Sequence, residues 1–379
     1  MDFAWSDEHL KIRERARRFL DDNLPADWES VASLSPGSEA VTRFSRAFCP
    51  KLAAAGLFAP HWPEEHGGEG ASAWAPFLIG EVMWAAGEPR GPQYYNVNWL
   101  GPTIMKYGTA AQKAHHLGRM RAGDVVWCQG FSEPSGGSDL AALRTRAERR
   151  GDHYVVNGSK IWTSYARMAE YCFLLARARP EGRAISVYLL PMNREGVTVR
   201  PIDSVVGDGD LHEVFFDNVV AKEDELLGGE GEGWEIVRYA LNFERVGIPR
   251  YALARKTLQR AVARLVAEGA FGEAAEQAAV SAHAACEAAR FLVYEVVDER
   301  ARAAPSTGAT SMARIAVVAA EREVADFVLD WTPGLFTAAD EPMVATHHKR
   351  AIAAGLAAGA AEIQLNLIAR DVLGLGGRG

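Results

Sequence analysis

Cysteine is scarce in this chain: Cys49, Cys128, Cys172 and Cys286 are the only four in 379 residues, and they stand far apart. No Cys-x-x-Cys pair occurs, so the spacing offers neither a zinc site nor a redox motif. So few thiols in so long a chain fit a reducing compartment, and the cytoplasm is the expected location. Long apolar runs are lacking too. No stretch of about 18 apolar residues is present, so no membrane span is expected. The opening MDFAWSDEHLK lacks the basic segment and apolar run of a secretory signal. Positive charge is not in excess. A net charge of −8 and a pI near 5.8 argue against a nucleic-acid partner, which calls for a basic face. The arginine-rich KIRERARR (11–18) is interrupted by acid and reads as the solvated face of a helix. There is no internal repeat and no low-complexity linker.

With 48% hydrophobic and 24% charged residues, the composition is that of a globular protein, long enough for two or three domains. The first third reads as helical. Ser6 is a candidate N-cap, with Asp7 and Glu8 in the first turn, and Leu10, Phe19 and Leu20 are expected to share a buried face. Further helices are expected around 40–56, 72–87 and 109–122, with a Pro- and Gly-rich loop at 61–70. Near residue 125 the pattern changes. HYVVNGSKIW (153–162) reads as two strands joined by an Asn157-Gly158 hairpin turn. Strands are expected at 170–178, 184–192, 196–202 and 212–220. The rest is rich in helix formers, near 234–267, 273–304, 310–330 and 339–372. The expected organisation is a helical N-terminal domain (1–124), a β-barrel-like middle domain (125–228) and a C-terminal four-helix bundle (229–379), an α+β multi-domain fold.

Several segments carry groups that could do chemistry. HWPEEHGGEG (61–70) has histidines and acids, but Pro63, Gly67 and Gly68 forbid the helix that a His-Glu-x-x-His metal site needs, so a structural loop is the reading. No metal is expected. His115-His116 and His347-His348 read as structural pairs, and GEGEG (229–233) has neither dinucleotide nor Walker spacing. FSEPSGGSD (131–139) is more informative: Ser132, Ser135 and Ser138 offer hydroxyls, and Gly136-Gly137 let a ligand approach the backbone. On spacing alone a plain loop is the favoured reading. In KIWTSYA (160–166), Trp162 is either core or a wall for a flat ring, with Thr163 or Ser164 reaching a ring heteroatom. Glu244, in LNFERV (241–246), is by spacing alone an ordinary helical glutamate.

Taken together, these segments resemble the acyl-CoA dehydrogenase family over nearly the whole chain. The resemblance rests on WPEEHGGEG, YGTAAQK (107–113), FSEPSGGSDLAALRTRAERRGDHYVVNGSKIWTS (131–164), FFDNVVAKEDELLGGEGEGW (215–234) and AAEIQLNLIARDVLG (360–374). It implies FAD, an acyl thioester of coenzyme A, and an electron-transfer flavoprotein as acceptor. It implies that Gln129, Phe131, Ser132, Gly137 and Ser138 hold the flavin ring, with Ser138 also on the thioester side. Trp162 matches the tryptophan packed on the flavin, and Thr163 and Ser164 adjoin it, Ser164 near flavin N5. Asn242 and Arg245 match substrate-binding positions. Most members carry the catalytic base in a late Glu-Gly-Thr segment, where this chain has Ala358-Gly359-Ala360. A minority, resembling isovaleryl-CoA dehydrogenase, place it just before an arginine on the first bundle helix, and Glu244 matches that position. The same pattern occurs in steroid side-chain members that form mixed tetramers.

Two departures matter. Homotetrameric members hold the FAD adenine end with an Arg…Phe-Gly…Gln stretch from a neighbouring subunit. Here Phe271-Gly272 remains, the arginine is absent and Gln277 is out of register. The family's Gly-Gly-x-Gly stretch is replaced by DWTPGLF (330–336). The resemblance therefore implies an α2β2 hetero-oligomer with a related chain, a homotetramer or dimer being the alternative. Three functions stay open at this stage: an acyl-CoA dehydrogenase, a flavin oxidase or acyl-carrier-protein dehydrogenase on the same fold, and a non-catalytic partner subunit.

Overall fold

Asp7–Asn23 winds into the first helix, α1, because the Ser6 hydroxyl accepts from the His9 N–H at 3.3 Å and two acids occupy the first turn. Its buried positions are Ala16 and Leu20, whereas Leu10 is 49% exposed. Ten residues of helix turn the chain through roughly 1000°, which leaves Leu10 about 80° away from Leu20 around the axis. This computed structural model describes residues 5–178, 183–205, 207, 210–244, 249–304, 306–336, 341–356 and 359–376, without the side chains of 242–244 and 336.

The helices that follow are α2 (Trp28–Ala32), α3 (Glu39–Ala54), α4 (Trp74–Ala85), α5 (Gln93–Tyr95), α6 (Gly101–Tyr107) and α7 (Ala110–Ala122). The strands are β1 (Trp127–Gly130), β2 (Arg146–Arg150), β3 (His153–Ser164), β4 (Tyr171–Arg177), β5 (Ile185–Pro191), β6 (Val197–Ile202), β7 (Leu211–Lys222) and β8 (Leu226–Leu227). The chain then continues through α8 (Gly233–Glu244), α9 (Tyr251–Ala267), α10 (Glu273–Ala301), α11 (Thr307–Trp331), α12 (Pro342–Ile352) and α13 (Ala361–Asp371). These elements form two compact units, one of residues 1–34, 70–89 and 245–379, the other of 35–69 and 90–244.

The first unit is helical. Its core is built from α9, α10 and α11, where Leu258, Ala282, Cys286, Ala289, Val317 and Val324 interleave at helical spacing. The apolar helix α4 carries one buried acid, Glu81. It is neutralised by Arg13 of α1 and accepts hydrogen bonds from the Tyr251 and Tyr294 hydroxyls at 2.7 and 3.0 Å. A buried carboxylate so partnered avoids the cost of an unsatisfied charge and ties three helices to one point. Two segments expected as single helices are divided. The stretch 234–267 becomes α8 and α9, with Pro249 just before the second. The stretch 339–372 becomes α12 and α13, separated at Gly355 and Gly359, whose φ values of 84° and 88° a right-handed helix cannot accommodate.

The second unit is built on one sheet of order β6-β7-β3-β2-β4-β5-β8, with β1 added in parallel to β4. The expected hairpin at Asn157-Gly158 does not form. The chain reverses earlier, at Gly151 (φ 66°) between β2 and β3, and β3 runs without a turn from His153 to Ser164. Gly158 sits inside the strand at φ 150°, beside a register shift against β7. Asn157 uses its amide on Asn218 of β7, accepting from that residue's N–H at 2.9 Å. Its side chain thus bonds across the sheet and does not close a turn.

All four cysteines are buried, Cys286 in the helical unit and the other three in the sheet unit. Among the described residues, no helix is long and apolar enough to cross a membrane.

Candidate functional site

At Gly130, β1 gives way to the Ser- and Gly-rich loop. A turn follows at once: Glu133 and Gly136 exchange backbone hydrogen bonds of 2.8 and 3.0 Å around Pro134-Ser135. The turn leaves Gly137 and Ser138 exposed. A side chain built at Gly137 would meet nothing within 4 Å, so no neighbour within the chain requires glycine there. Among the described residues, the N–H groups of Ser132, Gly137 and Ser138 make no hydrogen bond within the chain. The loop therefore presents free backbone donors and hydroxyls. Gln129, at the end of β1, is half-buried beside Phe173 of β4. Phe131 turns its ring inward, 7% exposed and packed on Trp99 and Phe173. What Phe131 offers a ligand is therefore its backbone more than its ring.

The strand β3 meets this loop from the other side. The Ile161 N–H donates to the Ser132 carbonyl at 2.9 Å. One residue earlier, Lys160 is fully buried and its ammonium donates to Glu133 at 2.7 Å and to the Phe131 carbonyl at 3.2 Å. Glu133 also accepts from the backbone N–H groups of Arg144 and Thr145. Burial drives the Glu133 carboxyl upward, but Lys160 and the amides outweigh it and hold the group below the usual carboxylate range. Burial draws the Lys160 ammonium below its ordinary value, and Glu133 opposes this. Removing one partner from such a pair costs on the order of 3–5 kcal/mol, because a lone buried charge remains.

Past Lys160 the register with β7 shifts, and Trp162 adopts φ 60° with 56% of its surface exposed. A bulky residue in the left-handed region is strained by about 1–3 kcal/mol, and such strain gathers at functional sites. Exposing the indole adds an unfavourable apolar surface. Thr163 points the other way. It is 1% exposed, its carbonyl accepts from His212 Nδ1 at 3.2 Å, and its hydroxyl has no partner. Burial holds His212 below its ordinary pKa, so its ring is neutral near pH 7. Ser164, paired with Leu211, is half-buried. The fold thus brings the loop at 129–138 and the end of β3 together. A planar heterocycle with ring nitrogens and oxygens fits them: an indole face, free amide donors and hydroxyls.

Glu244 ends α8, in the same unit. Helix α8 packs on β5 and α6, and the Trp234 ring N–H donates to the Arg183 carbonyl at 2.8 Å. Ile236, Val237 and Ala240 are buried apolar positions among its described side chains. The side chains of Asn242 and Glu244, and the whole of Arg245, lie outside the described residues. A feature that spacing alone did not single out is the Glu133–Lys160 pair. Its signal was present: Tyr154, Val156 and Lys160 alternate onto one strand face, and a lysine in a buried series calls for a counter-charge.

Profiles of the acyl-CoA dehydrogenase N-terminal, middle and C-terminal domains match residues 6–124, 128–219 and 231–373 in turn. The chain belongs to the acyl-CoA dehydrogenase family. It is 39% identical over 240 residues to acyl-CoA dehydrogenase IpdE1 of Mycobacterium tuberculosis, covering 62% of each chain. Its match spans between 62% and 64% of the first three curated relatives' lengths. Among solved structures it resembles the Tcur3481-Tcur3483 steroid acyl-CoA dehydrogenase, with a TM-score of 0.89 at 28% identity over 100% of this chain and 99% of that one. It also resembles the ChsE4-ChsE5 complex of Mycobacterium tuberculosis, with a TM-score of 0.88 at 28% identity over 100% of both chains. The family's arrangement of a helical N-terminal domain, a sheet domain and a helical C-terminal domain is the order of elements observed here.

Proposed function

We propose that this chain is the catalytic subunit of an FAD-dependent acyl-CoA dehydrogenase that introduces an α,β double bond into an acyl-CoA thioester. The observation that carries the reading is Trp162, exposed and strained beside a loop of free donors. Bound FAD would supply the acceptor for the β-hydride. Trp162 would provide the wall against the ring, and Gln129, Phe131, Ser132, Gly137 and Ser164 polar contacts at its edge, while Thr163, turned inward, adjoins the wall without reaching that edge. Ser138 lies on the thioester side, and Asn242 and Arg245 hold the substrate. Glu244 takes the α-proton. That role comes from the match of Glu244 to the minority base position; a carboxylate serves as a general base near neutral pH where a dry pocket raises its pKa.

The substrate class we infer is a steroid-derived acyl group, from the relative named as a steroid acyl-CoA dehydrogenase. The partner we infer is a related dehydrogenase chain in an α2β2 assembly, in keeping with the two-chain complexes it resembles. An electron-transfer flavoprotein is the inferred acceptor, and the cytoplasm the site of action. We keep the domain boundaries at 124/125 and 228/229. The test is anaerobic mixing of the flavin-loaded protein with a panel of straight-chain, branched and steroid acyl-CoA thioesters. Bleaching of the flavin by a steroid thioester, with the enoyl product formed, supports the reading. A flavin that no acyl-CoA reduces overturns it.

A further inference from the structure

We propose that the buried Glu133–Lys160 pair is the positioning device that sets the flavin wall. It locks the 131–138 loop to β3 and so holds Trp162 in its strained, outward conformation. This rests on the reading of Trp162 as the wall. Glu133 stands in the loop and Lys160 two residues before Trp162, at the last paired position before the register shift. The two side chains are 3% and 0% exposed. Between them they make three hydrogen bonds with backbone, to the Phe131 carbonyl and from the amides of Arg144 and Thr145, and the ion pair at 2.7 Å joins one segment to the other. The Ile161–Ser132 backbone bond adds one more tie between the same two segments.

The placement separates this pair from ion pairs on the sheet unit's surface. Arg149–Glu223 and Arg150–Glu148 lie on the surface with partners 34–65% exposed, where charge is solvated and little is fixed. An apolar pair of similar volume would serve stability at the Lys160 site as well as charge does. What charge adds is direction. A carboxylate with three donors and an ammonium with two acceptors permit one relative placement of loop and strand. A residue at φ 60° persists only where its surroundings over-determine it. Lys160 supplies that constraint on one side of Trp162, and the Thr163–His212 bond supplies it on the other.

The experiment uses the full chain, together with its partner chain where loading requires one. Glu133→Gln/Lys160→Met removes both charges at once, so neither is left buried alone. Glu133→Asp keeps the charge but shortens its reach, and serves where the double variant does not fold. Measured are the melting temperature, the FAD dissociation constant, the visible circular dichroism of bound flavin and amide exchange at Ile161. A positioning role predicts folded variants that bind FAD on the order of tenfold more weakly, as expected for a lost charge-assisted contact behind a ligand-holding group. Their flavin dichroism changes, and the Ile161 amide exchanges faster. Folded variants with wild-type FAD affinity, dichroism and Ile161 protection overturn the proposal while leaving the flavin reading intact. A wild-type protein that never loads FAD overturns the flavin reading, and this proposal with it.

Discussion

A glutamate can remove an α-proton only when its own proton affinity approaches neutrality, so the identity of one atom pair decides Glu244's role. Glu244→Gln keeps the shape and removes the base. It is expected to retain flavin and fold but to lose turnover by at least ~100-fold, the lower range for a general base. Stopped-flow flavin reduction with saturating acyl-CoA checks this, and near-normal reduction would exclude Glu244. A second residue titrates for structural reasons. His347 of α12 is 1% exposed, neither ring nitrogen has a partner, and burial holds its pKa at about 3. Arg250, Arg350 and His348 push in the same direction. The unfolded chain binds this proton near pH 6.5, the folded chain only near 3. Stability from this group is therefore complete above about pH 6.5 and falls as pH drops toward 3. His116, lowered to about 4 by burial, adds a slope of the same sign. His347→Gln should flatten the fall of the urea midpoint between about pH 6.5 and 4.5. An unchanged slope would show that His347 is protonated in the folded state. At this scale sequence was partly informative. Lys160 was missed although strand alternation carried its signal, whereas the exposure of Trp162 depends on a bulge that no local pattern announces.

Elements were legible where one period dominates. The helices α1, α10 and α11 fall within a few residues of expectation, because their apolar spacing is consistent and Ser6 and Ser306 cap two of them. Strands β4 to β7 were also readable, each being short and apolar between turn residues. The failures came where a local signal had a competing use. Asn157-Gly158 favours a hairpin in isolation, but tertiary pairing with β7 won, and the glycine serves a close approach. A side chain at Gly158 would sit 2.5 Å from Thr145 Oγ1 and 2.6 Å from Thr145 Cα, at φ 150°. Gly158→Ala should then cost about 1–3 kcal/mol. For a chain of this size that is a melting shift of a few degrees, measurable by calorimetry. A variant as stable as wild type would mean that β2 and β3 separate more easily than this packing implies. The breaks at Pro249 and at Gly355 and Gly359 were visible as residues, but good helix formers on both sides masked them.

For the whole molecule the question is whether one chain suffices. The residues that we assign to the flavin ring are present, while those that the family resemblance expects for the adenine end, near 264–279 and 330–336, are missing. One-sided loss fits a partner that carries the other half, as closed symmetric assemblies of two chain types allow. Purified alone, the chain is expected to hold far less than one FAD per subunit, and to load fully when co-expressed with a related dehydrogenase chain. The flavin-to-protein absorbance ratio and the mass of the assembly check this together. A homotetramer with one FAD per subunit and full activity would remove the need for a partner. Overall organisation was legible because helix-rich and strand-rich stretches alternate over long distances. The grouping into two units was not, since it joins residues 1–34 and 70–89 to the C-terminal third, far away in sequence.

The buried thiols make the molecule its own stopwatch. In the native state a bulky maleimide has nothing to attack: all four sulfurs are enclosed, and burial pushes the Cys286 thiol up to about 12 and Cys128 upward as well. Each labelling event therefore records an opening. Cys286 keeps time for the helical unit, and Cys49, Cys128 and Cys172 for the sheet unit. Peptide mass spectrometry of a labelling time course would show one shared rate if the chain opens as a whole, and two if each unit breathes separately. Flavin should slow the sheet-unit thiols first, which gives a readout of cofactor loading that needs no substrate and no turnover.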